Sequence, residues 1–413
     1  MGRAAASLQS EHVAGRIPAG AHSPIPSRSG GQGAAHAGAI SDPGRVVRRI
    51  IDGECCARVD VSTTEERSPA FAERLVRLDT RALTLPLGVL YAALVVLPLV
   101  IGFLLGLAEA SVLVSIGALN LLLVGVPYPG KTSARVLAVA CGTNALAFGA
   151  GTIVGLVPRL LEVPFVALGI FVALWGTRHH RWENVSFFAA VMFVFAVGVP
   201  PTTAWGVVLR PSAVLLGGIW ALAMLELVSL LLPRLSIDLS EPPGDGPPSA
   251  GQPTFAVTGH IAAVAVTATL GFLVGLQLGL PRDYWIMLTV LVALRPDLAS
   301  TYAYSMARIL GTIVGAAAAL LITTLTADPR ILFPVLAVTT GLCFATRGVN
   351  YLVYSVWITL TVILILNLVY SGGPTLAIAR VIDTVLGGAL ALVAALVLSW
   401  SGRFRRRQPV KAP

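Results

Sequence analysis

Four arginines recur at matching positions in two parts of the chain, and arginine is the side chain best suited to binding an organic anion. Arg135 and Arg308 each follow an alanine and precede an aliphatic residue and a leucine, whereas Arg210 and Arg380 each lie seven residues before a Gly-Gly pair. A guanidinium group pairs with a carboxylate through two parallel hydrogen bonds. Arg135 and Arg308 are also expected near helix N-termini, whose partial positive charge adds to the attraction. Arg135, Arg308 and Arg380 are candidate substrate-binding residues, together with Arg295 and Asp297, which flank a proline; alternatively, each arginine only anchors a helix end at a membrane surface.

A proline interrupts the chain shortly before Arg308. The apolar run Tyr284–Leu294 has eleven residues and ends at the sequence Arg295-Pro296-Asp297. Eleven helical residues rise about 16 Å, well short of a hydrocarbon core of about 30 Å. Because proline starts a helix more readily than it continues one, we expect a helix to stop at Arg295 and another to begin near Asp297. Broken segments often line transport sites; a short tilted helix with a turn at the membrane surface is the alternative.

Aromatic and acidic side chains complete the set of candidates. Tyr302 and Tyr304 lie about one turn from Arg308 and would stack on the aromatic ring of a substrate. Asp383 and Glu226 are carboxylates well inside apolar runs. Asp383 follows Arg380 by three residues, so a local ion pair is the simpler explanation. Glu226 has no partner within one helical turn, so it is the first candidate for proton coupling and Asp383 the second.

No arrangement of residues in the sequence is typical of an enzyme or a metal site. We find no nucleophile–base pair, zinc-ligand spacing, phosphate-binding glycine loop or paired catalytic carboxylates. The four cysteines have neither metal-ligand nor disulfide spacing. The sequence therefore predicts no catalysis, no cofactor and no bound metal.

Composition indicates which elements must position the candidate residues. Hydrophobic residues make up 56% of the 413 residues and charged residues 12%, against about a quarter charged in an ordinary soluble domain. Apolar runs of about 15 to 25 residues repeat between residues 87 and 400. Because lipid offers the backbone no hydrogen bonds, runs rich in Ala, Leu, Val and Gly are predicted to be membrane-spanning helices. The lipid bilayer is the first expected partner, and the chain could assemble as a homo-oligomer.

Short motifs recur in the same order at separations of 169 to 173 residues. The matching pairs are Gly102–Leu107 with Gly271–Leu276, Ala134–Leu137 with Ala307–Leu310, Thr177-Arg178 with Thr346-Arg347, and Arg210 with Arg380. Four matches in one order predict an internal duplication. The predicted fold class is an all-α membrane protein with about twelve transmembrane helices in two six-helix repeats, which are parallel because six is even.

The chain is predicted to have five segments. They are a disordered N-terminal tail (1–82), a first six-helix membrane repeat (83–233), a cytoplasmic linker (234–256), a second six-helix repeat (257–400) and a basic tail (401–413). The tail and the linker are assigned from their Gly, Pro, Ser and charged residues. The predicted spans are 87–106, 111–126, 134–157, 163–177, 184–200, 211–233, 257–279, 284–294, 306–327, 331–346, 353–370 and 375–400.

Basic residues predict the orientation of these helices. With the N-terminus inside, eight Lys and Arg residues of the membrane region fall on cytoplasmic connections and five on the opposite side. Both basic tails then also lie inside, as the positive-inside rule requires. The tail 401–413 is more typical of a last membrane helix facing anionic lipid than of a nucleic-acid-binding segment. We therefore expect a multi-pass plasma (inner) membrane protein with both termini cytoplasmic and no nucleic-acid partner.

Four motifs of the second half resemble a known family. They are Pro281–Trp285, Leu294–Asp297, Ala307–Thr312 followed by Gly315, and Arg380–Gly388. Together they resemble the fusaric acid resistance family of integral membrane transporters. The resemblance implies a helical transporter that exports aromatic acids and related compounds, with plant malate channels as distant relatives. Larger members carry cytoplasmic domains between and after the halves, where this chain has a linker of about twenty residues and a tail of about a dozen.

Three functions fit these observations. The first is export of small organic anions, driven by the proton gradient. The second is a passive organic-anion channel, which would use the same arginines without a titrating carboxylate. The third is a membrane scaffold that transports nothing.

Overall fold

The computed structural model describes residues 78, 80–125, 131–199, 203, 205–231, 254–280, 282–370 and 373–406. The predicted N-terminal tail, apart from its last residues, and nearly all of the predicted linker lie outside the described residues, as do residues 407–413 of the basic tail. The described residues form twelve α-helices and three short 3-10 turns, without a strand. The helices are α1 (Leu85–Leu104), α2 (Ala108–Leu123), α3 (Lys131–Val154), α4 (Arg159–Leu174), α5 (Glu183–Val197), α6 (Gly206–Leu231), α7 (Thr254–Gln277), α8 (Tyr284–Ala293), α9 (Leu298–Leu325), α10 (Pro329–Ala345), α11 (Tyr351–Tyr370) and α12 (Gly373–Arg406).

Eight of these helices are long and apolar enough to cross a membrane. The other four, α2, α5, α8 and α10, have 10 to 17 residues and are also apolar. The predicted class, a helical membrane protein, is confirmed, whereas twelve complete spans stay a prediction. Helix α8 has only 10 residues, about 15 Å of rise, which is half the thickness of the hydrocarbon core.

The predicted break follows α8. The helix ends at Ala293, and α9 begins at Leu298 with Asp297 as its N-cap. An Asp297 carboxylate oxygen accepts a hydrogen bond of 2.7 Å from the Ser300 backbone N–H. The Thr301 hydroxyl accepts a hydrogen bond from the Arg295 backbone N–H at 3.0 Å, so it partners a backbone group that the proline leaves outside both helices.

The predicted span 306–327 covers only part of a longer helix, because α9 begins at Leu298, next to the expected restart near Asp297. Asp297 caps a polar stretch, Leu298–Ser305, that has little hydrophobic periodicity and is helical nevertheless. Arg308 therefore lies ten residues inside α9, so the helix N-terminus contributes nothing to its charge.

The helices pair in the same pattern in both halves. In the first half the main contacts are α1 with α2, α2 with α6, α3 with α5, α3 with α6 and α4 with α5. In the second half they are α7 with α8, α8 with α12, α9 with α11, α9 with α12 and α10 with α11. Each pair of the first half thus has its counterpart six helices later in the chain.

The Gly-Gly pairs of the matched motifs make equivalent contacts. A side chain at Gly217 on α6 would meet the backbone carbonyl of Val114 on α2, and one at Gly387 on α12 would lie 2.7 Å from the Ile286 carbonyl oxygen on α8. The second glycine of each pair faces α3 in the first half and α9 in the second. Small residues allow helix backbones to approach closely where lipid provides little hydrophobic drive for association.

Two of the contacts that join the halves differ in character. Helices α1 and α10 meet through aromatic pairs, with ring centroids 4.9 Å apart for Tyr91 and Phe344 and 5.4 Å apart for Phe103 and Phe333. Helix α4 packs against α7 through apolar residues of a shared core cluster. At one end of this contact, Arg159 Nη1 lies 3.6 Å from a Glu162 oxygen and 3.7 Å from an Asp283 oxygen in the turn before α8. The α1–α10 contact is therefore aromatic, and the α4–α7 contact combines apolar packing with an ionic cluster.

Candidate anion site

Two arginines of the second half are buried without partners for part of their guanidinium groups. Arg308 on α9 is 7% exposed and Arg380 on α12 is 4% exposed. The Nε atoms of both, and Nη1 of Arg380, have no hydrogen-bond partner among the described residues. The two side chains are close enough for their positive charges to interact. An unpaired buried ion costs several kcal/mol, and a bound anion would reduce that cost.

Close packing of α9 against α11 and α12 brings these side chains together. A side chain at Gly311 would lie 2.6 Å from the Ser355 Cβ on α11, so glycine is required for this approach. The Ser355 hydroxyl donates to the Arg308 backbone carbonyl at 3.5 Å, and Thr312 and Thr359 hydroxyls lie 3.4 Å apart between the same helices. Packing and polar contacts thus fix the depth of Arg308 relative to α11.

Aromatic rings orient two guanidinium groups near the site. The Arg380 Cζ lies 4.8 Å from the ring centroid of Trp285 on α8, and the Arg295 Cζ lies 4.3 Å from the Tyr304 ring centroid. Stacking on the face of a ring leaves the N–H edges of a guanidinium directed away from it. Trp285 and Tyr304 therefore hold arginines in place without occupying the edges that would bind a carboxylate.

Tyr351, the first residue of α11, extends this aromatic lining. Its ring centroid lies 4.6 Å from that of Tyr304. The buried Tyr351 hydroxyl faces Arg308 and is also near Arg295, but it lacks hydrogen-bond geometry to any described residue. Arginines from α9, α12 and the α8–α9 break thus surround a hydroxyl that can donate to a bound anion.

Asp383 is the buried carboxyl nearest to this cluster. It is 1% exposed, and neither of its oxygens has a hydrogen-bond partner among the described residues. Asp383 shares a face of α12 with Arg380 and interacts with its charge, but no hydrogen bond joins the two side chains. Arg380, Asp283 and Arg282 are the charged groups that act on Asp383.

Two further carboxyl groups, those of Asp283 and Glu162, share Arg159, and Asp283 acts on Asp383. Asp283, in the turn before α8, is 4% exposed and pairs with Arg159 of α4. Burial raises the pKa of the Asp283 carboxyl above its usual value, and the positive charge of Arg159 opposes that rise. Glu162 shares the same arginine. Three carboxyl groups from α4, the α7–α8 turn and α12 therefore follow one another beside the arginine cluster.

The matched arginines of the first half lie in different surroundings. Arg135 is exposed on α3, whereas Arg308 is buried. Arg210 donates to the Val199 carbonyl at 2.7 Å and to a Glu109 oxygen at 3.0 Å, whereas Nε and Nη1 of Arg380 have no such partner. Sequence matching grouped these residues as equivalent, but the buried, incompletely paired members belong to the second half.

The remaining predicted site residues lie at the margin of the cluster or away from it. Asp297 is exposed and caps α9. Tyr302 is 43% exposed. Glu226 is half-buried on α6, which pairs with α2 and α3. Trp285 and Tyr351 were not predicted as site residues; the Tyr-Trp pair at 284–285 served only to recognise the family, and its position beside a broken helix was the available signal.

The comparisons agree with the class of protein that the helices define. Residues 261–394 match the family model described as fusaric acid resistance protein-like. The family expected from the motifs is therefore confirmed over the second half, and the match includes Arg308, Arg380 and Asp383. No curated protein matches the chain. No solved structure matches it either.

Proposed function

We propose that the protein transports small organic anions across a membrane, with Arg308 and Arg380 binding the anionic group. The observation that carries this proposal is the pair of buried guanidinium groups with unpartnered nitrogen atoms. Both lie in the segment that matches a family associated with resistance to an organic acid. A carboxylate would accept hydrogen bonds from both arginines and from Tyr351, while the stacked rings nearby would contact its apolar part.

The proposed substrate class is aromatic and related organic acids, and the proposed direction is export. Transport by this site requires movement, because the two guanidinium groups are almost completely covered in the described structure. The helix pairings support two parallel six-helix repeats, which would move relative to each other to expose the site. The Lys and Arg distribution supports a plasma (inner) membrane location with both termini cytoplasmic.

Flux into proteoliposomes tests the proposal. Purified wild-type protein should move radiolabelled benzoate across the bilayer, and Arg380→Ala should lose most of that flux. Arg330→Ala is the matched control, because Arg330 is an exposed arginine at the start of α10. Equal flux through wild type and Arg380→Ala would overturn the proposed site. No flux through either, with both proteins folded and inserted, would favour a scaffold.

The same vesicles separate a coupled transporter from a passive channel. A proton gradient imposed without a membrane potential should change the initial rate of benzoate movement, above the rate in protein-free vesicles, if protons are coupled to transport. Asp383 and Glu226 are the carboxyl groups proposed for such coupling, and Asp383 is the one beside the arginines. A channel would respond only to the benzoate gradient and the membrane potential.

A further inference from the structure

We infer that Asp383 is a proton-binding site and that a proton and the anion occupy the arginine cluster together instead of in exchange. This inference rests on the proposed function and adds the sign of the coupling to it. Its basis is a carboxyl group and a guanidinium group three residues apart on α12, both buried and neither satisfied by the other.

The surroundings of Asp383 explain why its protonation matters. On its own helix it faces Arg380; from the turn before α8 it faces Asp283 and Arg282. Arg308 on α9, Tyr284 on α8 and Tyr351 on α11 act on Arg380 and so lie on the far side of the same cluster. Helix α7, which also packs on α12, contributes His260, and that imidazole lies toward Arg295. Asp383 is thus a carboxyl group that acts directly on Arg380.

Electrostatics then gives the direction of the linkage. An ionised Asp383 repels an anion that approaches Arg380, and it can also turn to pair with Arg380 itself. A protonated Asp383 does neither, and its O–H can donate a hydrogen bond to the bound carboxylate. Protonation therefore favours anion binding, and by reciprocity a bound anion favours protonation. Exchange of a proton for an anion would require the opposite sign.

The sign has a consequence for transport. If the proton and a monovalent anion moved together, the step would be electroneutral and an acidic exterior would drive uptake, which opposes the proposed export. If the proton stays on Asp383 while the anion leaves, an inside-negative potential drives the anion outward and pH only regulates the rate. In both cases acidification increases occupancy of the site, so Asp383 makes anion binding responsive to pH.

Equilibrium binding of benzoate to the full-length protein in lipid nanodiscs tests the inference. The dissociation constant is measured at a series of pH values at which benzoate is fully ionised. The dissociation constant of wild type should rise about tenfold per pH unit above the pH at which Asp383 loses its proton. Below that pH it should be constant. Asp383→Asn, which is neutral at every pH, should remain close to the acid plateau throughout. Asp283→Asn should keep the transition, because Asp283 pairs with Arg159 of α4.

Several results would overturn the inference. They are a wild-type affinity that is constant or rises with pH, a transition that persists in Asp383→Asn, and a transition that disappears in Glu226→Gln. The wild-type curve decides the sign even if Asp383→Asn does not fold, and Asp383→Ser provides a second neutral variant. Binding without pH dependence would contradict only the inference, whereas binding unchanged in Arg380→Ala would contradict the proposed function.

Discussion

Arg308 and Arg135 show how one motif can have two different roles. Both occur in the same Ala-Arg-aliphatic-Leu sequence, but one guanidinium is buried between α9, α11 and α12 and the other is exposed on α3. Burial converts an arginine from a surface anchor into a group that needs a counter-ion. We therefore propose binding for Arg308 and orientation of the helix end for Arg135.

Substitution of Arg308 separates the contribution of charge from that of geometry. Arg308→Lys keeps the positive charge but loses paired hydrogen bonding, so the affinity for benzoate should fall by about 1–3 kcal/mol. Arg308→Ala should weaken binding further. The concentration dependence of flux, at equal protein incorporation, measures both effects.

Arg135→Ala distinguishes a site within the second half from a site that Arg135 and Arg308 form together, as the sequence motifs suggested. Because Arg135 is exposed, its alanine variant should retain the wild-type concentration dependence of flux. Arg330→Ala should behave in the same way. If Arg135→Ala and Arg308→Ala weaken benzoate transport equally, the site lies between the halves, and the cluster in the second half does not form it.

Helix contacts depend on individual glycines. Gly387 on α12 fits against α8, and a methyl group there would lie 2.6 Å from the Thr289 Cβ and 2.7 Å from the Ile286 carbonyl oxygen. Gly142 on α3 has open space, with no heavy atom within 4 Å of an added Cβ. The first position therefore requires glycine for packing, whereas the second does not.

Gly387→Ala should lower the thermal unfolding temperature of the protein in detergent, because α12 must move away from α8. The expected decrease in the free energy of unfolding is about 1–3 kcal/mol, which is typical of overpacking in a tight interface. Gly142→Ala should be neutral or slightly stabilising, since alanine favours helix over glycine by about 1 kcal/mol. Equal unfolding temperatures for the two variants would show that the α8–α12 contact is looser than described.

The elements could be predicted from sequence to different degrees. The α8–α9 break was predictable because Pro296 lacks an N–H and Asp297 is a preferred N-cap. The predicted span nevertheless left out residues 298–305, because these polar residues resemble a loop although they are helical. Burial of Arg308 and Arg380 could not be predicted: helices that are apolar on all sides carry little periodicity to show which face is inward. That information comes only from the pairing of α9 with α11 and α12.

At the scale of the whole molecule, orientation in the membrane remains a prediction. Six helices per half would return the chain to the side where it started, and the basic residues favour the cytoplasm for that side. Reporter fusions after Ser249, in the predicted linker, and after Pro413 should therefore both report a cytoplasmic location. An external signal from the Ser249 fusion would mean that the first half contains an odd number of spans.

The measurement that tests the central claim most directly is a structure of the full-length protein with a bromine-labelled benzoate. The anomalous signal of bromine identifies the ligand independently of the protein density. The account predicts a carboxylate within hydrogen-bonding distance of Arg308 and Arg380, with its ring beside Trp285 or Tyr351. Bromine density only beside the Arg210–Glu109 pair or on the exposed Arg135, with the Arg308–Arg380 cluster unoccupied at saturating ligand, would contradict it.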